Sequence, residues 1–139
     1  MPLIQECFRQ GQSVRFSPRG TSMLPMLRQG RDTVVLSPVP AQLKKYDLPL
    51  YRRKDGQFVL HRVIKTGETY TCIGDNQFCL ESGLEHGQMI AIVTAFNRNG
   101  KEYSVNEPGY RFYCRFWNYS RPIRRVWRFG LRVIRRIFK

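Results

Sequence analysis

Three residues along this chain carry side chains that could together run acyl-transfer chemistry: Ser22, His61 and Asp75. Ser22 sits in the glycine-bearing turn Arg19-Gly20-Thr21-Ser22-Met23-Leu24-Pro25-Met26. His61 lies in Leu60-His61-Arg62-Val63, and Asp75 lies in Gly74-Asp75-Asn76. A hydroxyl nucleophile, a base of near-neutral pKa and a carboxylate that orients the base are the parts this chemistry needs. The chain has 2 histidines, so candidates for the base are few. His86, between Glu85 and Gly87, reads as a surface-loop residue. Taken singly, each group also has an ordinary role. A serine before Met-Leu-Pro is a turn residue, a histidine in an apolar run packs in a core, and Asp-Asn is a common turn pair. Their joint occurrence, in this order, is what points to chemistry.

The elements that must position these groups are short. Residues 3–10 predict a helix ended by Gly11. Residues 13–17 alternate like a strand, which Pro18-Arg19-Gly20 breaks. Residues 33–36 form a strand closed by Pro38 and Pro40. Residues 47–51 and 58–64 read as two strands of a hairpin around Lys54-Asp55-Gly56, because Asp-Gly suits a tight hairpin turn. Strands at 69–73, 89–96 and 103–105 complete the set. Many short strands with frequent turn signals indicate a mainly β domain. Pro108-Gly109 marks the start of a different segment, dividing the chain into a body over 1–107 and a C-terminal amphipathic helical tail over 108–139.

At 139 residues and 42% hydrophobic, the chain has the size and apolar content of one folded domain. Its net charge is +14, from 24 Lys+Arg and 10 Asp+Glu, and the excess is uneven. After Glu107 there is no acidic residue, whereas 10 basic ones follow; the first 107 residues carry 14 minus 10, or +4. The 4 cysteines form no Cys-x-x-Cys pair, so neither a zinc site nor a dithiol centre is expected, and the thiols are expected to be reduced. No metal or cofactor is expected. No secretory signal or membrane-spanning run is visible in the sequence.

Placed on a helix, the tail separates cleanly. Trp127, Leu131, Ile134 and Phe138 fall with Ile123, Val126 and Ile137 on one side; Arg124, Arg128, Arg132 and Arg135 fall with the other basic residues opposite. Pro122 suits the first turn. A basic face opposed to a Trp/Phe/Ile/Leu face is the signature of a helix lying in a membrane interface. Each basic residue near an anionic surface can contribute roughly 1 kcal/mol. Aromatics just upstream, Phe112, Tyr113, Phe116, Trp117 and Tyr119, fit the same zone. Packing of the apolar face on the body is the plainer alternative. Nucleic acid is disfavoured, because it would leave that face exposed.

These segments carry a resemblance. Gly20-Thr21-Ser22-Met23-Leu24-Pro25, then Gly30-Arg31-Asp32-Thr33-Val34-Val35, looks like the serine box of the signal peptidase I / LexA-like clan, with Arg31 inserted between Gly30 and Asp32. The segment from Leu50 through His61-Arg62-Val63 resembles the box holding the general base, and Ile73-Gly74-Asp75-Asn76 resembles the Gly-Asp-Asn box. The resemblance covers roughly residues 10–105. The histidine is similar to the Ser–His branch, that of the archaeal, sporulation and endoplasmic-reticulum signal peptidases; other members use lysine. It implies the clan's β-fold and a serine endopeptidase that removes signal or leader peptides from a peptide or preprotein. Ser22 would be the nucleophile, His61 the base and Asp75 the orienting acid, with Glu81 as the alternative acid. The turn Gly20-Thr21-Ser22 would supply the oxyanion site, with the Ser22 N–H as donor. A LexA-like self-cleaving regulator fits less well: the base is not lysine, and the chain has no Ala-Gly dipeptide. A non-catalytic module binding membrane or nucleic acid on the same fold is the other alternative. With an interfacial tail, the expected location is a peripheral one on a bacterial membrane, at its cytoplasmic face.

Overall fold

The structure is a computed structural model that describes residues 2–137. It is a mixed α/β molecule of short, mostly antiparallel strands in two sheets, followed by two C-terminal helices. Helix α1 spans Pro2–Arg9, and strands β1 (Val14–Phe16) and β2 (Thr33–Ser37) flank the turn that holds Ser22. Then come β3 (Pro49–Arg52), β4 (Phe58–Leu60), β5 (Arg62–Lys65), β6 (Tyr70–Ile73), β7 (Glu81–Leu84), β8 (Met89–Arg98) and β9 (Lys101–Ser104). Helices α2 (Pro108–Tyr119) and α3 (Arg121–Ile137) close the described chain.

The larger sheet runs β1-β2-β8-β3-β4, with β9 also paired to β8; the smaller runs β5-β6-β7. Strand β8 holds the larger sheet together, pairing with β2, β3 and β9. Its apolar residues feed two cores, with a register shift in the β3–β8 pairing between Ala91 and Met89. Ala91, Val93 and Phe96 pack with Ile4, Met23, Leu27 and Leu50 in one, and Met89 packs with Tyr51, Val63, Tyr70 and Cys72 in the other. Adjacent residues of β3 likewise divide, Leu50 to the first core and Tyr51 to the second, because successive strand side chains point to opposite faces.

Three expectations need correction. The predicted strand over 58–64 is two strands in different sheets. Phe58–Leu60 pair with β3, Arg62–Lys65 pair with β6, and His61 is the residue between. An apolar run reads as one strand, but a chain that switches sheets turns a corner inside the run. Strand β7 was not expected, since Glu81-Ser82-Gly83-Leu84 has little strand character. Finally, the tail expected as one helix is two, which makes the whole a mixed α/β fold of short antiparallel strands followed by helices. The tail breaks at Ser120 into α2 and α3, and α2 packs on the body through Tyr110, Tyr113 and Cys114.

The hairpin around Asp55-Gly56 forms as expected, with Gly56 at φ 94° and Leu50 opposite Leu60. All four cysteines are free thiols.

Candidate active site

The Ser22 turn is fixed from below by the Gly74-Asp75-Asn76 loop. Asn76 N–H donates to the Ser22 carbonyl at 2.8 Å, and its side-chain amide donates to the Thr21 carbonyl at 3.0 Å. Gly74 is packed so closely that a Cβ there would stand 2.5 Å from the Ser22 carbonyl oxygen. That approach requires glycine. Gly20 takes φ 86°, and its N–H is bound by the Gln29 side chain at 2.7 Å, so it shapes the turn rather than donating to a ligand. The Ser22 N–H has no acceptor within the protein among the described residues, which leaves it open to an oxyanion. Thr21 is exposed at the turn's outer side.

Ser22 and His61 line one open cavity of about 720 Å³. Apolar side chains of Met23, Leu27, Leu50 and Leu60 line it as well, and Phe58–Leu60, an edge strand of the larger sheet, forms one wall. No hydrogen bond joins Ser22 to His61 among the described residues. A nucleophile–base contact is often open until substrate binds.

The imidazole is held from its other side. Tyr51 Oη lies 3.3 Å from His61 Nδ1 and donates to Glu81 Oε1 at 2.6 Å. Arg53 Nε also binds Glu81, at 2.8 Å and 3.1 Å to its two oxygens. Burial raises the Glu81 carboxyl, but the hydrogen bonds from Arg53 and Tyr51 outweigh it and hold the group below its ordinary value, ionised. An ionised carboxylate only accepts, so the single phenolic proton of Tyr51 goes to Glu81. Tyr51 Oη must then accept from His61 Nδ1–H. That fixes the neutral tautomer whose bare nitrogen is Nε2, the form a general base requires. Burial pushes the His61 pKa down to about 4; Glu81 partly opposes this and Arg53 adds to it. The ring is therefore neutral at physiological pH.

Asp75, expected beside the base, makes no hydrogen bond to His61 among the described residues. Both its oxygens are bound by Arg62, at 2.8 Å and 3.0 Å, and Tyr113 donates to it at 2.8 Å. Arg62 and Asp75 are fully buried, and Arg62 Nη1 also reaches Tyr46 O, Tyr110 Oη and Cys114 Sγ. The cause is the corner between β4 and β5: His61, between the two strands, faces the cavity, whereas Arg62, the first residue of β5, faces inward and needs an anion there. The structure joins His61 instead to the alternative acid, Glu81, through Tyr51.

The C-terminal helices close over the same loop. Trp117 Nε1 donates to the Asp75 carbonyl at 2.7 Å, Arg121 binds the Gln77 and Gly74 carbonyls, and Arg124 binds the Asp75 carbonyl. Arg128 binds the Asn76 side chain. Arg124 and Arg128, expected at a membrane, thus reach the 75–76 loop of the body. Trp117 and Tyr113 also turn inward. Arg132 and Arg135 remain exposed, as do Trp127 (68%), Leu131 (37%) and Ile134 (51%). Phe138 lies outside the described residues. No helix among the described residues is long and apolar enough to cross a membrane. No cluster of three or more His, Cys, Asp or Glu side chains suited to a metal ion gathers among them.

Sequence reasoning missed Tyr51, Arg53 and Arg62 as working parts. Tyr51 and Arg53 carried no signal beyond their closeness to the His61 box. Arg62 did carry one, since a charged residue inside an apolar run must find a buried partner. No family model matches this chain, and no curated protein or solved structure matches it either.

Proposed function

We propose that the protein is a serine endopeptidase of signal peptidase type, acting on an extended peptide laid along the β4 edge. The observation that carries this is the shared cavity of Ser22 and His61, with the His61 tautomer set by Tyr51 and Glu81. Ser22 Oγ attacks the scissile carbonyl as His61 Nε2 takes its proton. The Ser22 N–H stabilises the oxyanion. His61 returns the proton to the leaving amine as the C–N bond breaks. Water, deprotonated by the same nitrogen, then releases the acyl group from Ser22. Glu81 acts on the imidazole through Tyr51, holding its orientation and stabilising the imidazolium. An outer strand beside the nucleophile gives an extended peptide backbone partners for hydrogen bonding. Two antiparallel sheets, with the serine turn resting on the Gly-Asp-Asn loop, support the β-fold of the signal peptidase I / LexA-like clan. Signal or leader peptides are the substrate class implied.

The exposed apolar side of α3 supports a peripheral membrane location, with anionic lipid as the surface bound.

Cleavage-site mapping by mass spectrometry tests the reading. Wild type and Ser22→Ala are incubated with a peptide library, with and without anionic vesicles. Loss of a triad member costs at least ~10³-fold in rate, so cuts are expected from wild type alone. No Ser22-dependent cut under either condition would favour a non-catalytic membrane-binding module on the same fold.

A further inference from the structure

Away from the Ser22–His61 cleft, one cavity has a distinct chemical character. It measures about 280 Å³, lies between the 44–48 loop and α2, and is lined by Lys44, Lys45, Arg111 and Arg115. Its one carboxylate, Asp47, accepts the Lys44 backbone N–H at 2.7 Å and so serves the loop's own turn. Lys45 lies over the Tyr46 ring, 5.2 Å from its centroid. Four cations around a small cavity suit a phosphate group.

The neighbouring surface of α2 is aromatic. Tyr110, Tyr113, Cys114 and Trp117 occupy the helix side turned to Arg62 and the Asp75 loop. At 100° per residue, Phe112, Phe116 and Tyr119 fall on the opposite side, Arg111 falls between the two, and Arg115 borders the aromatic side next to Tyr119. Those three aromatics are 69%, 55% and 72% exposed, and the Phe112 and Phe116 rings stack with centroids 5.9 Å apart. A contiguous exposed aromatic ridge marks an interaction surface.

Charge decides what covers it. No acidic residue follows Glu107, and α2 and α3 carry basic residues throughout. A second copy would set cations against cations. An anionic bilayer offers phosphates to the cations and an interfacial layer in which aromatic rings settle favourably.

We propose that α2 lies in the headgroup layer of an anionic bilayer. Phe112, Phe116 and Tyr119 insert, and the phosphate of one anionic phospholipid sits among Lys44, Lys45, Arg111 and Arg115. This extends the membrane location proposed from α3 but is carried by different residues.

Cosedimentation of the full chain with phosphatidylcholine vesicles, with and without phosphatidylglycerol, tests it, with circular dichroism confirming that each variant is folded. Lys44→Gln/Lys45→Gln/Arg115→Gln is expected to weaken binding to the anionic vesicles by about tenfold or more, and Phe112→Ser/Phe116→Ser by a similar factor. Arg9→Gln/Arg52→Gln/Lys54→Gln, which removes as many charges elsewhere, is expected to weaken it less than about threefold. Equal losses from the two charge variants would overturn the phosphate site, leaving only the general field. Unchanged binding of the α2 variants, with binding lost in Trp127→Ser/Ile134→Ser, would overturn this proposal and leave the α3 reading intact. Wild type that ignores both vesicles would overturn both.

Discussion

Two carboxylates stand on either side of the His61 segment, and they are held differently. Asp75 is sealed with Arg62; their side chains are 1% and 2% exposed, and Tyr113 completes the cluster. Glu81 is paired with Arg53, but these side chains are 27% and 34% exposed, and one Glu81 oxygen continues through Tyr51 to the imidazole. The better-paired carboxylate is the worse candidate for catalysis, because its acceptor capacity is already used in joining β5, the serine-supporting loop and α2. The looser one has a route to a titrating ring.

The largest expected effect breaks the buried pair. Arg62→Ala leaves an uncompensated charge in the interior and is expected to lower unfolding free energy by about 3–5 kcal/mol in denaturant melts. Arg53→Ala, by contrast, should cost about 1 kcal/mol or less. Similar losses from both would erase the distinction.

Next comes pH. The His61 pKa drops from 6.5 in the open chain to about 4 in the folded one, so between these values the unfolded state binds more protons. Stability then rises with pH across that window, and it falls by up to about 3 kcal/mol on acidification through it. The acid limb of kcat/KM should accordingly lie near pH 4 rather than near 6.5. Glu81→Gln should move that limb further down and Asp75→Asn much less, because Glu81 is the stronger of the two in raising the ring's pKa.

Glu81→Ala should lower kcat/KM by about 10²-fold while changing stability by only about 1 kcal/mol. A Glu81→Ala enzyme as active as wild type would mean that something else orients His61. Tyr51→Phe keeps the ring but removes the link, and should cost about tenfold in rate together with the ~1–3 kcal/mol of an unmet buried donor.

Much of the frame could be read from the sequence. Turn residues and alternation located α1, most strands and the Asp55-Gly56 hairpin, because these depend on local backbone preferences. The three short boxes also singled out Ser22 and His61, which line one cavity. What stayed hidden depended on which strand partners which. The corner at His61 looks like continuous strand until β6 claims Arg62–Lys65. The choice between Asp75 and Glu81 turns on Arg62 facing inward, which follows from that corner. The amphipathic division of α3 was plain, yet it could not reveal that Arg121, Arg124 and Arg128 meet the 74–77 loop, since a helical wheel specifies a side and not its neighbour.

The corner between β4 and β5 sets two adjacent codons under different constraints. In the peptidase proposed, position 61 is answerable to turnover, since its side chain opens on the cavity. Position 62 is answerable to the existence of the folded molecule, since its side chain ends in the buried cluster. Neighbours in the gene thus have separate tolerances to change. A variant lost from the soluble pool would trace to the second codon, and one that accumulates but is inert would trace to the first.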